Sequence, residues 1–147
     1  MASTCVVIAE ANQELLGGIR NLIQDLFDSV VMVVDEASLV EVVSKVQPQL
    51  LIVDLSMPVS KELNVARTIN SKFPGLDFIV VSIHDEADAV SETVDAGAAG
   101  FVLKRCVARD LIPCITHVLA GQRYVSPDAE VRNKKPNNND LKIESNE

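Results

Sequence analysis

Short aliphatic runs recur along the chain, and a longer amphipathic segment follows each of them. The runs occupy residues 4–9, 30–34, 50–53, 78–81 and 100–103. Each run has the length of a strand, and the one at 30–34 is valine-rich, as strands often are. Because every crossover between parallel strands needs a covering helix, this alternation predicts an α/β fold with five parallel strands and helices on both faces of the sheet.

The amphipathic segments carry the signals of helices. Apolar side chains at three- and four-residue spacing predict helices over residues 12–27, 63–74, 85–96 and 109–119. Ser38, with Glu41 three residues later, predicts the N-cap of another helix, which ends at Pro48. The chain therefore contains five strand-then-helix units.

The length of 147 residues suits one domain with a core of its own. Apolar residues make up 48% of the chain but aromatic ones only 3%, so the predicted core is aliphatic. From residue 128 onward the sequence is polar and rich in asparagine. We therefore expect one domain over residues 1–127 and a polar, flexible tail over residues 128–147, with no DNA-binding domain.

The formal net charge of −8 argues against nucleic-acid binding by this chain itself, because phosphate contacts dominate such binding. No apolar run approaches the length of a membrane span, and the N-terminus lacks the basic start of a signal peptide. A cytoplasmic protein with no membrane partner is the expectation. The three cysteines have no metal-ligand spacing, and we expect reduced core residues.

Polar side chains follow four of the predicted strands. Glu10 follows the first strand, Asp54 the third, Ser82 the fourth and Lys104 the fifth. Each has an ordinary alternative: Asp54 in a turn, Ser82 as a helix cap, and the other two as surface charges. Because parallel sheets bind ligands beyond the carboxyl ends of their strands, the joint pattern indicates one functional site.

Phosphoryl transfer onto a carboxylate is the chemistry that suits this set. Asp54 and an incoming phosphate are both anionic, so a cation is needed between them. Mg²⁺ prefers oxygen ligands and usually binds one or two carboxylates together with phosphate and water. Lys104 is suited to pair with phosphoryl oxygens, and the Ser82 hydroxyl to hydrogen-bond the product.

These residues also carry a family resemblance. Asp54, the Met57-Pro58 pair, Ser82 and Lys104 resemble the receiver domain of two-component response regulators over roughly residues 4–127. The segments SIHDEADAVSETVDAGAAGFVLK and LAGQRYVSP are most similar to receivers of helix-turn-helix, NarL/FixJ-type regulators. The resemblance implies a flavodoxin-like (βα)5 three-layer sandwich with parallel strand order 2-1-3-4-5.

The resemblance also implies a signalling role without enzymatic activity. Asp54 would accept a phosphoryl group from a sensor histidine kinase or phosphotransfer protein, and Ser82 and Lys104 would contact that group. Glu10, Asp54 and the backbone carbonyl of Ser56 would hold Mg²⁺.

Phe101 stands where the family keeps its aromatic switch residue, although core packing in the fifth strand explains it equally well. Val118 and Leu119 of the last predicted helix suit either core packing or a homodimer interface.

The chain departs from the family pattern after the first strand. Receivers usually carry two adjacent acids there, whereas this chain has Glu10 and Ala11. We therefore expect weakened Mg²⁺ binding, since Mg²⁺ demands near-ideal octahedral geometry. Glu62 replaces a usual glycine, and we expect it to start a helix, where acids are favoured.

Ala11 keeps a second hypothesis open, a degenerate receiver that binds partners without phosphorylation. A third hypothesis, a flavodoxin-like enzyme or nucleotide binder, ranks last because no glycine-rich phosphate loop follows the first strand.

Overall fold

The computed structural model describes residues 4–59 and 64–129, which form one parallel sheet covered on both faces by helices. The strands are β1 (Cys5–Ala9), β2 (Ser29–Val33), β3 (Leu50–Asp54), β4 (Phe78–Ser82), β5 (Gly100–Leu103) and β6 (Tyr124–Val125). The helices are α1 (Gln13–Ile23), α2 (Glu36–Val46), α3 (Val65–Lys72), α4 (Ala87–Asp95) and α5 (Val107–Leu119). Glu62, the start of the helix predicted at 63–74 and the tail from residue 130 lie outside the described residues.

The strand order is β2-β1-β3-β4-β5-β6, which confirms the flavodoxin-like order 2-1-3-4-5 and adds one strand. All the strand pairs are parallel. The prediction of five strands missed β6, which is only two residues long and lies against the outer edge of β5. So short a segment carries no aliphatic run, and its pairing with β5 stabilises it.

Two apolar cores lie on opposite faces of the sheet, because successive strand residues point to opposite sides. One core packs β-strand side chains such as Val7 and Val53 against α2, α3 and α4. The other packs side chains such as Ile8 and Ile52 against α1 and α5. Every residue of β1, β3 and β4 is buried, which explains why these strands read as continuous apolar runs.

The ends of several helices differ from prediction: α1 ends at Ile23 and α4 begins at Ala87, and two further differences concern α2 and α5. The prediction that Ser38 caps α2 was wrong: Asp35 is the N-cap, and its Oδ1 accepts the Ser38 backbone N–H at 2.8 Å. Asp35 has the extended backbone that an N-cap needs, whereas Ser38 lies inside the helix. Helix α5 begins two residues earlier than expected, directly after a 3₁₀ turn over Lys104–Cys106.

A short segment after α5 completes the fold. Residues 124–129, which we call the C-terminal clasp, comprise β6, Ser126 and a helical turn over residues 127–129. Ser126 and Ala129 are both fully buried, and Ala129 packs into the same core as Phe101. Ala129 thus belongs to the core although it lies two residues beyond the expected domain limit.

Across the described ranges, no helix is both long and apolar enough to span a bilayer.

Cys5, Cys106 and Cys114 are buried free thiols, as predicted. Burial raises the pKa of the Cys114 thiol to about 12. Of the two residues considered for an interface, Val118 is in the core and Leu119 is exposed.

Candidate functional site

The predicted site residues lie together at the carboxyl edge of the sheet. Glu10 directly follows β1, Asp54 and Ser82 are the last residues of β3 and β4, and Lys104 directly follows β5. The neighbouring strands place Asp54 beside Val81. This arrangement follows from topology, because parallel strands in adjacent positions end at the same edge.

Lys104 joins two of the site's carboxylates. Its Nζ lies 3.0 Å from Oε1 of Glu10 and 3.1 Å from Oδ1 of Asp54. The carboxylate side chains are 1% and 6% exposed and the lysine side chain 17%, so the cluster is largely shielded from water. The ammonium is therefore the counter-charge that two buried acids share.

Asp54 is held by the loop that follows it. Its Oδ1 accepts the Ser56 backbone N–H at 2.9 Å, and its carbonyl accepts the Met57 N–H at 3.0 Å. The first bond is that of an Asx-turn, which sequence analysis offered as the ordinary alternative. The turn leaves the functional interpretation open, because the same oxygen that forms the turn also pairs with Lys104.

Glu10 is fixed by its own backbone bond and by Lys104. Its Oε2 accepts the Asn12 N–H at 3.0 Å. Burial raises the pKa of Glu10, and the nearby charge of Asp54 adds to this; the Asn12 N–H and Lys104 oppose it. Ala11, by contrast, is exposed at the rim of the site. A carboxylate at position 11 would meet solvent and not a packed core.

The environment of Lys104 favours its charged form. Burial alone lowers the pKa of the ammonium, but the hydrogen bonds to Glu10 and Asp54 outweigh it and leave the pKa above its ordinary value. Lys104 is therefore a permanent cation at neutral pH.

Ser82 lies at the same edge but is bonded to its own loop. Its Oγ accepts the His84 N–H at 2.8 Å and donates to the His84 carbonyl at 3.3 Å. The residue between them, Ile83, has 64% of its surface exposed. His84 is also exposed, and its ring Nδ1 lies 3.6 Å from Oε2 of Glu86. The hydroxyl has one proton, so it must turn from the His84 carbonyl before it can donate to a group on Asp54, while it can still accept the His84 N–H.

Phe101 is fully buried in β5, in the core that also holds Val80 and Ala129. It pairs with Val80 of β4 on one side and Val125 of β6 on the other. Core packing is thus its role in this arrangement, and the switch role stays a prediction.

The donor set fits a divalent cation with few protein ligands. Two carboxylates, Glu10 and Asp54, face one region beside the exposed Ser56, whose backbone carbonyl lies in the loop after β3. Mg²⁺ commonly binds through one or two carboxylates and fills its shell with water. Within the described ranges, no group of three or more histidine, cysteine, aspartate or glutamate side chains is assembled for a metal.

Two interactions of the site escaped sequence reasoning. The bond between Ser82 and His84 depends on the path of the loop after β4, which no residue pattern specifies. The double pairing of Lys104 was not predicted either, although it follows from the convergence of the strand ends. The order of the strands, combined with the residues at their ends, was a signal that could have revealed it.

Comparison with known proteins gives a family match over most of this region. The model of the response regulator receiver domain matches residues 6–116. That range includes all of the strand-end residues described above and extends from β1 into α5. The match therefore rests on the same part of the chain as the site.

Curated relatives are similar over the same region. The chain is 28% identical over 124 residues to the transcriptional regulatory protein DegU of Brevibacillus brevis, covering 83% of this chain and 52% of DegU. It is 28% identical over 127 residues to the response regulator UvrY of Escherichia coli K12, covering 84% of this chain and 57% of UvrY. The chain thus spans about half the length of the curated relatives it matches.

Solved structures agree in fold. The isolated REC domain of RcsB from Salmonella enterica serovar Typhimurium, determined in the presence of the phosphomimetic BeF3−, superposes with a TM-score of 0.81 at 25% identity. The match covers 90% of this chain and 100% of that domain. An RcsB–DNA complex also matches with a TM-score of 0.81 at 25% identity, covering 90% of this chain and 68% of RcsB.

Proposed function

This chain belongs to the response regulator receiver domain family, and we propose that it accepts a phosphoryl group on Asp54 and relays it as a conformational signal. The donor would be a sensor histidine kinase or a phosphotransfer protein. The observation that carries the proposal is the contact of Lys104 with both Asp54 and Glu10 at the carboxyl edge of the sheet.

The proposed step is a substitution at phosphorus. An oxygen of the Asp54 carboxylate attacks the phosphorus of a phosphohistidine, a phosphorus–oxygen bond forms, and the phosphorus–nitrogen bond to the imidazole breaks. The imidazole leaves with the electron pair and takes up a proton from solvent. Oδ1 of Asp54 already binds Lys104 and the Ser56 N–H, so Oδ2 is the oxygen we assign to the attack.

Lys104 and Ser82 have separate parts in this step. The Lys104 ammonium reduces the repulsion between the carboxylate and the incoming phosphoryl oxygens, because it lies 3.1 Å from Asp54 before the donor arrives. The Ser82 hydroxyl exchanges its bond to the His84 carbonyl for one to the phosphoryl group. That exchange rearranges the loop after β4, so the phosphoryl group favours a second loop arrangement.

A divalent cation would be held by Glu10, Asp54 and the Ser56 carbonyl. When bound, Mg²⁺ would neutralise the phosphoryl oxygens as they approach the carboxylate. We propose that it binds weakly, because Ala11 supplies a methyl group where the family has a metal carboxylate.

The partners follow from the same proposal. Besides the phosphodonor, a second copy of the chain is a proposed partner through α5, where Ile112 and Leu119 are 38% and 50% exposed. We assign nucleic-acid binding to no part of the described domain, since the chain carries a net charge of −8. RcsB binds DNA in one of the matched structures and forms dimers on it in another.

Ala11 favours one second candidate function, that of a degenerate receiver that binds its partners without phosphorylation. Beryllofluoride with millimolar Mg²⁺ separates the two functions. We expect backbone NMR shifts at Asp54, Ser82 and Lys104 in the wild type and none in Asp54→Asn. A small phosphodonor should likewise add one phosphoryl mass only when Asp54 is present. If neither reagent has an Asp54-dependent effect, the degenerate receiver is the correct function.

A further inference from the structure

A second buried polar cluster lies away from the candidate site, where α5 meets the C-terminal clasp. Asp110 and Ser126 are 3% and 0% exposed. The Ser126 Oγ donates to Oδ2 of Asp110 at 2.5 Å. Arg109 donates to both oxygens of the same carboxylate, at 2.8 and 3.0 Å. The proposed phosphorylation chemistry uses none of these groups. Burying polar groups is costly unless they are paired, as these are.

Backbone bonds fix the clasp to the outer edge of β5. The Tyr124 N–H donates to the Ala99 carbonyl at 3.1 Å, and the Ser126 N–H donates to the Phe101 carbonyl at 2.7 Å. Ala129 closes the segment by packing into the core beside Phe101. The clasp therefore covers the edge of the strand that ends at Lys104.

The same clasp contacts both ends of the turn that carries Lys104. The Leu103 N–H, one residue before the lysine, donates to the Ser126 Oγ at 3.4 Å. Cys106, the last residue of the turn, donates its Sγ–H to Oδ2 of Asp128 at 3.6 Å. Asp128 also lies 3.5 Å from Nη2 of Arg109. The clasp is thus linked to the turn through two separate contacts.

We propose that docking of the C-terminal clasp is coupled to the phosphorylation state of Asp54. This inference rests on the proposed function and identifies how that function is read out. A phosphoryl group draws Lys104 away from Glu10 and toward its own oxygens, which displaces the turn over Lys104–Cys106. The clasp loosens as a result, because its contacts to this turn are the weakest of its bonds.

The lengths of the hydrogen bonds support a loosening of the clasp at its contacts to the turn. The Leu103 N–H bond to the clasp is long, at 3.4 Å, and the 3.6 Å contact of Cys106 is weak because a thiol is a weak donor. The bonds between clasp and β5 are 2.7 and 3.1 Å. A shift of the turn therefore breaks its contacts to the clasp first, and Ser126 then retains only part of its buried bonding.

Amide hydrogen exchange of the full chain tests the proposal. The amides of Tyr124 and Ser126 should exchange about fivefold faster in the presence of beryllofluoride and Mg²⁺ than in their absence, while the amides of β1 and β3 are unchanged. Binding linkage is reciprocal, so a mutation that loosens the clasp should strengthen beryllofluoride binding, by at most the factor by which beryllofluoride loosens the clasp.

Two variants and a control complete the experiment. Ser126→Ala removes the central hydroxyl, and Asp128→Asn weakens the rim contacts without leaving a buried group unpaired. Both should bind beryllofluoride more tightly than the wild type, by up to about fivefold. Thr116→Ala is the control, because its hydroxyl lies on the exposed side of α5 and bonds only to the Ile112 carbonyl of its own helix. Should Ser126→Ala fail to fold, Asp128→Asn decides the result.

The outcomes separate this inference from the function on which it rests. If the wild type binds no beryllofluoride at Asp54, the proposed function fails and the coupling fails with it. If beryllofluoride binds but the exchange of Tyr124 and Ser126 is unchanged or slower, the coupling is wrong and the function stands. Equal beryllofluoride affinity in Asp128→Asn and the wild type also overturns the coupling.

Discussion

The ammonium of Lys104 lies 3.1 Å from Oδ1 of Asp54, so the lysine pairs with the carboxylate before any phosphoryl group is present. The same ammonium lies 3.0 Å from Glu10, which makes it the shared counter-charge of two buried acids. Lys104 therefore contributes to the stability of the resting domain as well as to its chemistry, and the two contributions are separable by experiment.

Lys104→Ala should destabilise the domain at neutral pH by about 3 kcal/mol, because it leaves two buried carboxylates without a counter-charge. The loss should shrink as the pH falls. Without the ammonium the folded-state pKa of Glu10 lies still further above its unfolded value, so protonation favours the folded state. Urea unfolding at several pH values measures both effects. Lys45→Ala is the control, since its pair with Glu41 is exposed, and a pH-independent loss in Lys104→Ala would contradict the prediction.

Ala11→Asp should tighten Mg²⁺ binding at least about tenfold, because it adds a third carboxylate at the rim of the site. The exposed position of residue 11 accepts the larger side chain without repacking. A Mg²⁺ titration followed by NMR measures the affinity, and Ala11→Asn controls for size without charge. Equal affinities for the aspartate variant and the wild type would show that residue 11 does not face the metal.

Gly100→Ala should cost about 1–3 kcal/mol of stability through overpacking. A Cβ at residue 100 would lie 2.5 Å from Sγ of Cys114 and 3.0 Å from Cγ1 of Ile79. Adding Cys114→Ala should recover part of the loss, and a double-mutant cycle of unfolding free energies measures that coupling. Gly18→Ala is the matched control, because its added Cβ would lie more than 4 Å from every described atom outside its chain neighbours and the nearby backbone of α1. Additive losses in the double variant would refute the contact.

Arg109→Gln should move acid unfolding to higher pH. Hydrogen bonds from Arg109 hold the pKa of Asp110 below its ordinary value of 3.8, against burial, and Ser126 adds to the effect. A carboxyl with a lowered folded-state pKa stabilises the fold above its unfolded pKa, and that stabilisation is lost as the pH falls through the folded value. Circular dichroism during acid titration locates the midpoint. Arg20→Gln should leave the midpoint unchanged, and an unchanged midpoint in Arg109→Gln would count against the pair.

Much of the fold was predictable because buried parallel strands have a direct sequence signature. The runs at 50–53 and 78–81 are continuous and aliphatic since both faces of β3 and β4 are covered. β6 was not predictable, because its two residues gain their structure from the edge of β5. The N-cap of α2 was misplaced because Asp35 and Ser38 are both good capping residues, and only the backbone conformation at Asp35 distinguishes them.

The site was predictable to the extent that strand order determined it. Glu10, Asp54 and Lys104 were expected at one edge, and the structure brings their charged atoms together. The cluster of Asp110 and Ser126 was not expected. An aspartate in an amphipathic helix usually faces solvent, and its burial depends on a serine that arrives 16 residues later.

The late position of residues 124–129 has a consequence for biosynthesis. β5 pairs Gly100 with Tyr124, so its outer edge remains open until the clasp has been translated. At about 5–20 residues per second, that interval lasts on the order of seconds. An unpaired edge strand is a template for pairing with another nascent chain. A ribosome that pauses between α5 and Tyr124 would therefore leave the edge of β5 open to pairing with another chain. Slow codons in that interval should lower the yield of monomer.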